Sequence, residues 1–353
     1  MSDSSGWGPS GPYAGPPGGW GWTPPPPPPK PGVIPLAPLG VDTVFGGAFA
    51  TMRRYAGPLF GLAILAYVAL GALLAGAGTV AYFSVRDHAD ALYATHGDPL
   101  WSDVRPVLLA FGTVWALALV GLLAAGAFVQ ASCAATLHDA VLGRRTTLRQ
   151  VWRRSWPRTP SVLGVWLLLG LVVLVPTLLF VALFVSFVLA VVSGTVLPVG
   201  ILFLLAMLTV PLTVWLYVLF GFAPAAAVLE SARPVQALRR SVRLVKGAWW
   251  RTFGILLLGG MTVLIVSLAI GLPLSFAMPR PQPYDMSHPP PTDMADAFAN
   301  SLHGMGGYMV LSMAGNLITQ MFAMVFLPLI ATLLYIDQRI RREGLADVLL
   351  RAM

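Results

Sequence analysis

Six long apolar runs alternate with polar segments along the chain. They cover about residues 58–83, 106–135, 161–191, 198–229, 253–278 and 308–336. These runs contain no Asp, Glu, Lys, Arg or His, and each exceeds the roughly 20 residues with which an α-helix crosses a bilayer. The pattern therefore predicts an all-α fold, a polytopic membrane helical bundle with six transmembrane helices.

The segment 233–254 has the pattern of a basic amphipathic helix that leads into the fifth run. At steps of three and four, one face carries Val235, Leu238, Val242, Val245 and Trp249. The opposite side and one flank carry Arg239, Arg240, Arg243, Lys246 and Arg251. Such a helix lies in the headgroup layer, with its cations against lipid phosphates. We therefore expect a surface helix over residues 235–250.

Weaker versions of this unit occur twice earlier in the chain. A short predicted helix over 41–55 precedes the first run, and a basic segment that includes Arg149 precedes the third. In each copy an arginine pair precedes a short glycine-centred motif: Arg53-Arg54 before Phe60-Gly61-Leu62, Arg153-Arg154 before Leu163-Gly164-Val165, and Arg239-Arg240 before Phe253-Gly254-Ile255. The repeat predicts three hairpins, each preceded by a basic amphipathic surface helix. Its copies run in one direction, unlike the inverted repeats of many secondary transporters.

The basic residues also predict an orientation. Segments on one side of the runs carry 19 of the 22 Lys and Arg residues, and segments on the other side carry 3. By the positive-inside rule, we expect both termini to be cytoplasmic. Only two of the 22 basic residues are lysines, and Ala, Gly and Pro are abundant, as is typical of GC-rich coding, so we expect the membrane to be a bacterial cell membrane.

Composition agrees with a membrane protein. The chain is 57% hydrophobic and 10% charged, whereas soluble domains carry about 25% charged residues. The net charge of +8 does not indicate nucleic-acid binding, because the basic residues cluster beside apolar runs rather than on a soluble fold. A single cysteine, Cys133, excludes a disulfide framework.

The two ends of the chain differ from the membrane domain predicted over 33–336. Residues 1–32 are rich in Pro, Gly and Trp and include a run of six prolines, so a disordered or polyproline arm is expected. This arm is either a ligand for a partner protein or a flexible tail. Residues 337–353 form a predicted cytoplasmic tail.

Only uncharged polar groups offer chemistry within the runs. Asn316 and Gln320 share one face of the sixth run. They either hydrogen-bond across helices or contact a substrate. The outer segments hold acids and histidines, among them Asp87 and His88, but in no metal-ligand spacing. We find no phosphate loop or catalytic signature, so no cofactor, metal or enzymatic activity is expected.

Three stretches carry a resemblance to a known family: PGVIPLAPL at 31–39, ALRRS with GAWWRTFG between 237 and 254, and LYIDQRIRREGL at 334–345. In these stretches the chain resembles actinobacterial six-span proteins labelled as the membrane domain of glycerophosphoryl diester phosphodiesterase. In fused members, a separate soluble barrel carries the activity. The chain ends 17 residues after the sixth run, so the resemblance implies location and architecture without catalysis.

Two functional hypotheses follow. The first is a platform whose basic residues bind anionic lipids of the inner leaflet or a partner protein. Its candidate residues are Arg149, Arg153, Arg154, Arg239, Arg240, Arg243, Lys246 and Arg251. The second is a passive carrier or channel for a lipid or small metabolite. A polar cavity that reaches the middle of the membrane at Asn316 and Gln320 would favour the second hypothesis, and a tightly packed bundle would favour the first.

Overall fold

The computed structural model describes residues 32–35, 37–94, 101–194, 196–277 and 294–344. These residues form an all-α structure. Its helices are α1 (Val41–Arg54), α2 (Ala56–Ala94), α3 (Trp101–Val141), α4 (Leu148–Ser155), α5 (Thr159–Val192), α6 (Val196–Phe220), α7 (Ala223–Leu229), α8 (Pro234–Val245), α9 (Trp249–Ala277) and α10 (Met294–Glu343). The proline-rich arm over 1–31 and the end of the predicted tail, 345–353, lie outside the described residues.

Six helical segments are long and apolar enough to cross a membrane, as the sequence predicts. They pair as three hairpins, α2–α3, α5–α6 and α9–α10, whose two helices pack extensively on each other. A short basic helix, α1, α4 or α8, precedes each hairpin. The structure thus confirms the three-unit architecture and makes the protein a multi-pass membrane bundle.

Several helices extend beyond the predicted runs. The segment 84–105 was expected to be a polar loop, but α2 continues to Ala94 and α3 begins at Trp101. The extension of α2 is rich in alanine, which has the highest helix propensity. Hydropathy marks where a helix enters hydrocarbon, whereas propensity and capping decide where it ends.

The two ends of the bundle differ in packing. We call the end that carries α1, α4 and α8 the basic end, and the opposite end, where α2 and α9 end, the far end. Most of the buried apolar side chains lie toward the basic end, with Leu137, Phe222, Leu329 and Tyr335 among the largest. The protein core is therefore at the basic end.

Residues 33, 34 and 39, which precede α1, belong to that core. Ile34 and Leu39 are buried, and the Val33 amide donates to the carbonyl of Ala140 over 3.1 Å. A Cβ at Gly32 would lie only 2.0 Å from the Ala140 carbonyl oxygen. Only glycine fits this close approach of two backbones.

Helix α8 differs from its prediction in length. It ends at Val245, and the chain turns through Gly247, which has a φ of +87° that glycine adopts without strain. The predicted helix over 235–250 is therefore two helices, because Trp249 and Trp250 begin α9.

The buried face of α8 is also rotated from the predicted valine stripe. Ala237, Ser241 and Leu244 lie at its centre, whereas Val235 is 51% exposed. The break between α6 and α7 explains this rotation. Ser241 Oγ accepts from the amide of Phe222 over 3.1 Å and donates to the carbonyl of Leu219 over 2.8 Å. A serine therefore satisfies backbone groups that the end of α6 leaves unpaired.

Candidate functional site

An ion pair with α3 holds the surface helix α4 in place. Asp139, near the end of α3, is buried and faces Arg154 of α4. Arg154 Nη1 donates to both carboxylate oxygens, over 2.8 and 2.7 Å. The pair ties the end of the first hairpin to the helix that introduces the second.

Helix α8 is held in the same way. Glu230, directly after α7, accepts from Arg240 Nη2 over 2.9 Å and from the hydroxyl of Tyr335. Arg240 also pairs with Glu343 over 2.6 Å. Partial burial disfavours the guanidinium charge, but the hydrogen bonds and charges of the two glutamates outweigh it and raise the pKa of Arg240. This arginine is therefore part of the protein's internal structure.

Asp337 of α10 also forms ion pairs at this end of the bundle. Its side chain is 0% exposed and pairs with Arg251 and, over 2.9 Å, with Arg341. It also accepts from the amide of Leu39 over 2.8 Å. The Leu39 carbonyl in turn accepts from both arginines. The end of the third hairpin is thus tied to the segment that introduces the first.

These three contacts form a ring at the basic end. In each unit, an acid at the end of the hairpin holds the entrance of another unit: Asp139 holds α4, Glu230 holds α8, and Asp337 holds the approach to α1. The sequence shows one acid at the end of each even-numbered span, and this spacing was the available signal. The pairing itself was not predicted, because Arg154 and Arg240 lie only 15 and 10 residues from their acids but look like their neighbouring arginines in the sequence.

The predicted basic residues fall into two groups. Arg154, Arg240 and Arg251 are used in internal ion pairs. The others are exposed and face no acidic partner among the described residues: Arg149, Arg153, Arg239, Arg243 and Lys246. Only this second group is free to bind an anion from outside the protein.

A cavity of about 970 Å³ lies among the spans, toward the basic end. All six spans line it, and most of the lining is apolar. Its polar groups include Tyr67, Tyr217 and Gln130, whose Oε1 accepts from the indole of Trp166 over 2.6 Å. A cavity of this size can hold a small ligand or an acyl chain.

Within the described part of the chain, the two amides of the sixth span are not seen to bridge helices. Gln320 lines the cavity, Asn316 is exposed, and neither amide forms a cross-helix hydrogen bond among the described residues. The expectation of inter-helix bonds assumed a closely packed span. At this level the six spans surround a cavity instead, so the amide of Gln320 has space in front of it.

A second, smaller pocket of about 430 Å³ opens at the basic end. Its basic residues are His138, Arg153, Arg154 and Arg158, from α3, α4 and the turn after α4. Pro157, Leu229 and Ser231 form part of the rest of the wall. The sequence did not predict this pocket, because it forms where α4 meets the end of α7.

No group of three His, Cys, Asp or Glu side chains that could hold a metal occurs among the residues that the structure describes. The acids and histidines of 95–100 and 278–293 lie outside that part of the chain. The expectation of no metal site at those positions stays a prediction.

The chain matches the family described as domain of unknown function DUF7847 over residues 39–337. This match covers most of the chain, so the protein belongs to that family. No curated protein and no solved structure matches the chain. The matched description does not mention a phosphodiesterase, so the resemblance to the phosphodiesterase membrane domain stays a prediction.

Proposed function

We propose that this member of the family is a non-catalytic membrane module that binds anionic lipid through its basic end. The observation that best supports this proposal is that the cations of α8 have two different environments. Arg240 is bound internally. The other three are exposed without an acidic partner among the described residues: Arg239, Arg243 and Lys246. Internal pairing fixes the helix, and the exposed cations are then displayed at defined positions.

The position of α8 brings apolar and aromatic side chains to the edge of the bundle. Its buried face contacts the bundle, so its exposed Val235 and the neighbouring Trp250 of α9 are available to the lipid boundary. Tryptophan at the start of a span is typical of the headgroup level. Each exposed cation near an anionic leaflet contributes about 1 kcal/mol to binding.

The proposal includes an orientation. The positive-inside asymmetry favours a cytoplasmic basic end, where bacterial anionic lipids would meet α1, α4 and α8. The chain enters the core at residue 33 beside Ala140, at this same end. A partner protein bound to the proline-rich arm would therefore be held next to the basic surface.

The test uses the full-length protein in phosphatidylcholine vesicles that contain brominated phosphatidylglycerol, which quenches nearby tryptophan. We expect stronger quenching than with brominated phosphatidylcholine. The triple variant R239Q/R243Q/K246Q should lose much of this difference. The charge-preserving control R239K/R243K should retain it. Equal quenching by both lipids in the wild-type protein would contradict the proposal.

The cavity supports a second candidate function, a passive carrier for an apolar or amphiphilic molecule. Gly260 lines the cavity, and its Cβ position is open, so G260F should fill part of the space. Gly271 has the same open surroundings and does not line the cavity, so G271F is the control. If the carrier function holds, G260F alone should slow flux of a fluorescent lipid in proteoliposomes. Absence of flux with the wild-type protein would exclude lipid as the cargo.

A further inference from the structure

The small pocket at the basic end has an excess of positive charge. Asp139 is the acid beside it, but both of its oxygens are occupied by Arg154. Arg153 and Arg158 also line the pocket and have no acidic partner among the described residues. Two guanidinium groups therefore face the pocket without a counter-charge from this part of the protein.

The backbone at the rim of the pocket is unusual. Ser231 lines it with a φ of +57°, which places a residue with a Cβ in the left-handed region. Such a conformation persists only where the surrounding structure enforces it, and it occurs often at binding sites. The turn at Ser231 brings the end of α7 against the basic side chains of α4, which forms the pocket.

The wall of the pocket is also partly apolar. Pro157 and Leu229 line it beside the arginines. Trp152 and Trp156 do not line the pocket, but they lie on either side of Arg153 and Arg154 in the sequence and stack on each other with ring centroids 5.6 Å apart. Aromatic residues of this kind mark the headgroup level of a membrane. The pocket is therefore suited to an anion attached to an apolar chain.

We propose that this pocket binds a phosphate monoester, with Arg153 and Arg158 as the main ligands and Arg154 held in place by Asp139. A monoester carries a charge near −2 at neutral pH, which two unpaired guanidinium groups complement better than the single charge of a diester. Arginine is also the side chain best suited to bind phosphate oxygens in pairs. The source is either a lipid with a terminal phosphate or a soluble phosphate ester.

This inference rests on the proposed function, since a lipid ligand requires the basic end to face an anionic leaflet. The test again uses the full-length protein in phosphatidylcholine vesicles, now with brominated phosphatidic acid compared with brominated phosphatidylglycerol. We expect phosphatidic acid to be preferred by about fivefold, because its extra charge near the arginines contributes about 1 kcal/mol.

The variants distinguish lipid binding in the pocket from lipid binding to the rest of the basic surface. R153Q/R158Q should abolish the preference for phosphatidic acid, and R153K/R158K should restore part of it. R149Q is the matched control, because Arg149 is on the same helix, is exposed and does not line the pocket. It should retain the preference. Thermal unfolding in detergent should be alike for all variants, since the substituted residues make no internal ion pair among the described residues.

The outcomes are distinguishable. An equal response to the two anionic lipids, or an equal loss of the preference in R149Q, would overturn the phosphate pocket while leaving general anionic binding intact. Failure of both anionic lipids to exceed phosphatidylcholine would overturn the proposed function as well. Glycerol 3-phosphate then identifies the source. If it relieves quenching by phosphatidic acid, the pocket accepts a soluble ester, and if it has no effect, the ligand is the lipid.

Discussion

The basic end and the far end of the same helices are built differently. At the basic end, Leu329 and Tyr335 are fully buried, and three acids tie the units together. Toward the far end, Val192 and Phe276 are 80% and 88% exposed. A membrane helix needs no protein partner to satisfy its backbone or to shelter its apolar side chains. The comparison shows that the closely packed core lies at the end that contains the buried ion pairs. At the other end, the apolar side chains are exposed to lipid instead of being packed against protein.

The ion-pair ring gives the largest expected difference between the two ends. Replacing Asp337 with Asn leaves Arg251 and Arg341 beside a neutral partner, and breaking a buried pair costs about 3–5 kcal/mol. Asp87 is exposed near the far end of α2, so D87N should change stability by less than about 0.5 kcal/mol. Thermal unfolding in detergent measures both variants. Equal effects would contradict the structural role of the ring.

Core packing gives the next largest effect. Leu329 is buried at the basic end, so L329A should lower the free energy of unfolding by about 2–5 kcal/mol. Leu208 on α6 is 67% exposed, and L208A removes contacts with lipid or detergent rather than with protein. The same unfolding assay should show little change for L208A. A large loss for L208A would show that protein packing extends to that part of the span.

Ser241 provides a smaller and more local test. S241A leaves the amide of Phe222 and the carbonyl of Leu219 without their partner, and we expect a loss of about 1–3 kcal/mol. Ser186 is the control, because its hydroxyl donates to the carbonyl of Ala182 within its own helix. S186A should be nearly neutral. Equal stability of the two variants would show that Ser241 is not needed at the break after α6.

The comparison also explains what could be predicted from the sequence. The spans, the hairpins and the surface helices follow from local patterns, namely apolar length and helical periodicity. The buried face of α8 does not, because Ser241 is placed by backbone groups at the end of another helix. Likewise, Arg240 and Arg243 look equivalent along the chain. Glu343, more than a hundred residues away, is one of the partners that make Arg240 internal.

The cavity likewise could not be predicted from the sequence. Asn316 and Gln320 were correctly placed on a span, yet their surroundings depend on how six helices are spaced around a central space. No local pattern encodes that spacing. The same holds for the phosphate pocket, whose wall combines the end of α3, helix α4 and the turn at Ser231.

The most direct test of the account asks which end of the bundle faces the cytoplasm, because binding to inner-leaflet lipid requires the basic end to be there. Single cysteines are introduced at Arg149 and at Asp98 in a C133A background, and intact cells are treated with an impermeant thiol reagent. With a cytoplasmic basic end, we expect labelling at position 98 and protection at position 149 until the cells are opened. Labelling at position 149 with protection at position 98 would contradict it.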